Sequence, residues 1–99
     1  MPTYDMKPRF LDDLKRLTPE EYRQFKRAVQ KLVDDLKAGR PPRKSLGIER
    51  FESRKGVYEL HWSGDGRALF RFGTSPHEGE VHIIWLRVGT HDIYGQEPE

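Results

Sequence analysis

The apolar residues of the chain follow two rhythms, helical in the first half and alternating in the second. Phe10, Leu11, Leu14 and Leu17 repeat at helical spacing, with Pro8 near the start and Asp12 and Asp13 assigned to the first turn. Thr18-Pro19-Glu20-Glu21 then reads as a capping box, Thr18 at the N-cap and Glu21 reaching back to it. Behind it Tyr22, Phe25, Val29, Leu32, Val33 and Leu36 line one face, and Gly39 with Pro41-Pro42 ends the run. A helix from Pro19 to Ala38 would be about 30 Å long, enough to cross a small sheet. Upstream, Thr3 to Met6 is a candidate edge strand.

After a basic loop holding Arg40, Arg43, Lys44 and Arg50, the period changes to two. Val57 to Trp62 alternates, Ser63-Gly64-Asp65-Gly66 turns the chain, and Arg67 to Phe72 forms the next strand. A looser connection from Gly73 to Gly79 leads to a third strand, Glu80 to Val88. Short connections of this kind imply an antiparallel meander. The whole chain, 1–99, therefore reads as one α+β domain: an N-terminal helical hairpin packed on a small twisted antiparallel sheet.

Alternation sends neighbouring side chains to opposite faces. Tyr58, Leu60, Trp62, Ala68, Phe70 and Phe72 are the expected core beneath the long helix. The other face then receives Glu59, His61, Arg67 and Arg71. If Ile84, Leu86 and Val88 point inward, Trp85 and Arg87 join that open face. Three arginines on adjacent strands repel one another unless an anion lies between them, and a guanidinium binds phosphate through paired hydrogen bonds. Arg54 and Lys55, in the loop before the alternating region, are further candidate phosphate contacts. For any one of these residues, a solvated position on a one-sided sheet is the simpler account.

Composition narrows the class. Hydrophobic and charged residues each make up 34% and aromatics 11%, a mixture that supports one modest core and argues against disorder. Cysteine is absent, so neither a disulfide framework nor a thiolate metal site exists, which fits a reducing cytoplasm. No segment resembles a signal peptide or a membrane span, and the expected setting is soluble and cytoplasmic. His77 and His82 do not stand at a helical ligand spacing, and no carboxylate cluster is evident beside them. No metal and no cofactor are therefore expected.

The C-terminal segment Trp85-Leu86-Arg87-Val88-Gly89-Thr90-His91-Asp92-Ile93-Tyr94 carries the most specific signal. Together with the hairpin Phe10–Leu36 and Gly66-Arg67-Ala68-Leu69-Phe70, it resembles the RelE/ParE superfamily of bacterial type II toxins. The ending looks like that of the YafQ-type and HigB-like members of the RelE-like branch. The resemblance implies an endoribonuclease that cleaves mRNA without metal, usually in the ribosomal A site, and that is held in check by a cognate antitoxin protein. It also implies that Arg67 stabilises the phosphate, that His91 is the C-terminal catalytic group, and that Tyr94 is the terminal aromatic. Glu59 and His61 fall near positions where several relatives carry lysine.

Chemistry supplies roles for the rest. Glu59 or His61 is the candidate base, His91 the acid oriented by Asp92, and Arg67, Arg71 and Arg87 the clamp, with Trp85 available to contact RNA. Two other readings compete: a ParE-like toxin that inhibits gyrase, and a catalytically silent binding module of the same fold.

Overall fold

A computed structural model describes residues 2–75, 79–90 and 93. The chain runs β1 (Thr3–Met6), α1 (Pro8–Arg16), α2 (Pro19–Lys37), a short 3₁₀ turn (Lys44–Leu46), β2 (Glu49–Arg50), β3 (Tyr58–His61), β4 (Arg67–Gly73) and β5 (His82–Gly89). The strands form one sheet in the order β1-β5-β4-β3-β2. Neighbours from β2 to β5 pair antiparallel, while β1 lies parallel to β5, making the sheet mixed.

Local chemistry sets the helix boundaries. The Glu21 backbone N–H donates to Thr18 Oγ1 at 3.1 Å, and the Thr18 N–H donates to Glu21 Oε1 at 2.9 Å. The capping box expected from sequence thus closes at both ends, and Pro19 takes the first helical position, where its missing N–H costs nothing. At the other end of α2, Asp35 lies on the buried stripe with Phe25, Ala28 and Leu32. Its carboxylate accepts from the Arg43 guanidinium at 2.8 and 3.0 Å, from the Arg43 backbone N–H, and from Arg40. The Arg43 guanidinium, its backbone N–H and Arg40 together hold the Asp35 carboxyl well below the ordinary carboxylate range.

Both helices cover one face of the sheet. There Phe10, Phe25 and Trp85 pack with ring centroids 5.4 to 5.9 Å apart, and Phe70 stands 5.4 Å from Trp85. Leu32, Leu60, Ala68 and Phe70 beside them are fully buried. Burying aromatic groups of this size contributes more than any other part of so small a core. Phe72, expected in this core, is instead 45% exposed and makes an edge contact with Tyr58.

The opposite face carries a second, smaller apolar cluster. Val57, Leu69, Leu86 and Ile93 are buried there, with Phe51 and Ile84 against them. Its existence follows from a break in the β4–β5 register between Leu69 and Phe70, where Leu69 pairs with Arg87 and Phe70 with Trp85. Leu86 is the extra residue, a β-bulge, and it puts the inward and outward alternation before it out of phase with that after it. Val88 packs toward the helices as expected, but Ile84 and Leu86 do not. Trp85 takes their place in the main core.

Candidate functional site

Residues paired across an antiparallel ladder share a face, so the register defines what the helix-free side presents. One row runs Glu49, Glu59, Leu69, and the next runs His61, Arg67, Gly89. His61 Nε2 stands 3.0 Å from Glu59 Oε1, the ring nitrogen donating to the carboxylate. The imidazole is held from behind by Gly47, which has a φ of 57° at the end of the 3₁₀ turn. A Cβ on that glycine would come within 2.9 Å of His61 Cγ and Nδ1. Its absence lets the ring lie against the backbone and directs Nε2 toward the carboxylates.

Arg67 is at the start of β4, directly across from His61, and only 9% exposed. Its Nη1 donates to the carbonyls of Ser63, Gly64 and Gly66 at 3.4, 3.3 and 2.9 Å. The same turn receives the Trp62 indole, whose Nε1–H donates to the Arg67 carbonyl at 2.9 Å. Gly66 makes this possible, since a Cβ there would fall 2.4 Å from the indole carbons. Arg67 therefore fastens the β3–β4 turn as well as bordering the polar face. Arg71 is half-buried and pairs with Ile84 in the next outward row.

Two expected members of the open face are elsewhere. Trp85 is 4% exposed and stacked on Phe10 at 5.8 Å, so its ring is unavailable from the sheet side. Arg87 is 3% exposed and bound to Asp13 of α1 through Nε at 2.6 Å and Nη2 at 3.1 Å. The Val88 N–H donates to the same carboxylate at 3.1 Å. Asp13 is thus a buried counter-ion in the body of α1, and neither it nor Asp12 sits in the first turn. A guanidinium neutralised in this way contributes little attraction for phosphate. Arg54 is half-buried and Lys55 exposed in the loop between β2 and β3. His91, Asp92 and Tyr94 lie outside the described residues. Gly89 and Thr90, which precede them in the chain, line a cleft of about 420 Å³ with Arg16, Glu21, Arg87 and Ile93.

Sequence reasoning missed the places of Asp13 and Glu49. The helical stripe through Phe10, Asp13, Leu14 and Leu17 holds an acid where an apolar residue belongs, which is the available sign of a buried ion pair. Glu49 gave no sign, since β2 is two residues long. Among the described residues, Glu49, Glu59 and His61 each offer a ligand atom within 4.8 Å of the others, a grouping that spacing along the chain conceals. Arg27 and Lys31, legible in the sequence as part of the basic outer face of the long helix, line one 450 Å³ cleft with Ser45, Ser63 and His61. The long helix thereby extends basic surface up to the imidazole.

No protein-family model matches the sequence, and no curated relative matches it. Solved structures do match in fold. The YoeB/ParE toxin from Agrobacterium tumefaciens superposes with a TM-score of 0.63 at 16% identity, covering 90% of this chain and 98% of that one. The E. coli DinJ–YafQ toxin–antitoxin complex gives 0.60 at 15% identity, with 92% and 93% covered. The intact E. coli RelBE toxin–antitoxin complex gives 0.56 at 19% identity, with 89% and 94% covered. Two helices on one face of a five-stranded sheet, matched over nine-tenths of the chain, establish that this protein has the RelE-like toxin fold.

Proposed function

We propose that the chain is the toxin of a type II toxin–antitoxin system, an endoribonuclease that cuts mRNA in the ribosomal A site. The observation that carries this reading is the Glu59–His61 pair, hydrogen bonded at 3.0 Å beside Arg67 on the helix-free side of a RelE-like fold. Cleavage of RNA by its own 2′-hydroxyl needs a base for that proton, an acid for the departing 5′-oxygen, and positive charge around the phosphorane. In this reading the Glu59–His61 pair accepts the 2′-hydroxyl proton. The oxygen attacks the adjacent phosphorus, a 2′,3′-cyclic phosphate forms, and the P–O5′ bond breaks.

His91 returns a proton to the 5′-oxygen, oriented by Asp92, and Tyr94 stacks on a base. The choice of His91 and Tyr94 rests on the sequence resemblance, and their roles and that of Asp92 rest on the chemistry the cleavage needs. Arg67 and Arg71 stabilise the phosphorane. Arg54 and Lys55, with Arg27 and Lys31 of the α2 cleft, contact backbone phosphates of mRNA or ribosomal RNA. Arg87 and Trp85 have no part in the clamp, because one is paired with Asp13 and the other is in the core. No step requires a metal ion. A cognate antitoxin protein restrains the toxin, as the toxin–antitoxin complexes of the same fold suggest.

Induced expression followed by primer extension on cellular mRNAs tests the proposal. Growth arrest with mapped cuts inside coding regions is expected. Intact transcripts accompanied by double-strand DNA breaks would overturn it in favour of a gyrase-directed toxin.

A further inference from the structure

Glu49 and Glu59 are direct cross-strand partners on β2 and β3. Two carboxylates opposite each other destabilise a ladder unless a cation offsets their repulsion. The neighbouring His61 adds a nitrogen donor, and its Nε2 is already 3.0 Å from Glu59 Oε1. Donors that share one first-row ion at about 2.0–2.2 Å stand roughly 3 to 3.5 Å apart, so these two atoms are spaced as adjacent ligands. The imidazole is held in place by the Gly47 backbone, which leaves Nε2 as the nitrogen facing the carboxylates. Glu49 is exposed on a two-residue strand and free to turn its carboxylate inward. All three donor atoms lie within 4.8 Å of one another.

We infer that Glu49, Glu59 and His61 form a binding site for a divalent first-row transition ion, zinc being the physiological candidate. One imidazole and two carboxylates suit zinc, cobalt or nickel better than magnesium or calcium, which favour all-oxygen shells. The site is three-coordinate from protein and leaves a position for water, on the face of the sheet. Its regulatory consequence rests on the nuclease proposal: an ion held by Glu59 and His61 occupies the groups assigned to take the 2′-hydroxyl proton. Zinc would then inhibit a reaction that needs no metal.

The test uses tag-free, full-length protein with zinc chloride and cobalt chloride as probes. Isothermal titration should give one ion per chain, and cobalt should develop a visible ligand-field band. Glu49→Gln and His61→Gln should each weaken binding by about tenfold or more, while His82→Gln, on β5 with β4 between it and β3, should not. Urea unfolding of the same variants distinguishes a lost ligand from a lost fold. Failure of the parent protein to bind, or binding indifferent to both Glu49→Gln and His61→Gln, would overturn the inference. Zinc inhibition is read separately, as the rate relative to each variant's own zinc-free rate. Binding without RNA cleavage would leave the metal site standing and count against the nuclease, whereas cleavage untouched by bound zinc would refute the inhibitory role.

Discussion

Replacing Asp13 with Ala should be among the most damaging single changes on the surface of contact between α1 and the sheet. The variant leaves the Arg87 guanidinium buried, because its side chain is 3% exposed. Three donors lose their acceptor at once: Arg87 Nε, Arg87 Nη2 and the Val88 N–H. Breaking a buried ion pair by removing one partner costs about 3–5 kcal/mol. The adjoining cleft admits water to one side of Arg87, which favours the lower figure. About 3 kcal/mol is a large fraction of the ~5–15 kcal/mol available to a domain of this size. It corresponds to a fall in Tm of roughly 12–24 °C.

The assay is urea unfolding of Asp13→Ala, Arg87→Met and the double variant Asp13→Leu with Arg87→Met. The double variant should recover most of the loss, since an apolar pair of similar volume often replaces a buried ion pair at little cost. A loss below about 1 kcal/mol in Asp13→Ala, or additive losses in the two singles, would refute the reasoning. RNA binding by the recovered double variant then decides Arg87's role. Unchanged affinity is expected of a scaffold residue, and a tenfold drop would return it to the phosphate clamp.

Thr18→Ala removes one half of the capping box and should cost about 1 kcal/mol, visible as a Tm lower by ~4–8 °C. The depressed Asp35 carboxyl contributes stability that is present above its ordinary value of 3.8 and is lost as pH falls toward the folded-state value. The gap between parent and Asp35→Asn urea midpoints should therefore be full near neutrality and narrow as pH drops below 3.8; a gap independent of pH would contradict the ion-pair assignment. His91→Gln should slow single-turnover cleavage by ~10²- to 10⁴-fold with little change in a separate binding titration, and parental cleavage would remove it from the mechanism. Cutting of a short model RNA should continue in excess EDTA, and its loss there would end the metal-independent scheme.

The elements were legible because each carries its own local signal. Thr18 and Glu21 announce α2, and the alternation from Val57 to Phe72 announces β3 and β4. Even the edge strand at Thr3 to Met6 is visible, though not its parallel pairing, which depends on where β5 ends up. The polar face was legible only as far as strict alternation held. A single extra residue at Leu86 shifted Trp85 to the other side, and no local signal at that position distinguishes a bulge from a continuing strand. Arg87 was misplaced for a second reason. Its partner Asp13 is 74 residues away, and a charge of either sign reads as exposed until its counter-ion is found. The Glu59–His61 pair was placed correctly because two residues of one strand need no tertiary information to share a face. Glu49, on a strand too short to alternate, needed the fold.

The parallel β1–β5 pairing sets a constraint in time as well as in space. His82 on β5 accepts from Thr3 at 2.6 Å and donates to Asp5 at 2.8 Å, clasping residues 79 and 77 positions earlier in the chain. β5 also carries the partners of β4 and the counter-ion of α1. Chains emerge from the ribosome N-terminus first, so β1 and α1 are made well before the strand they pack on. Ordering so distant a pairing also makes folding slow relative to the helices, which form locally. For a protein proposed to attack messages during translation, β5 acts as a delay: the sheet that would carry the nuclease site is incomplete on the nascent chain until β5 has been made.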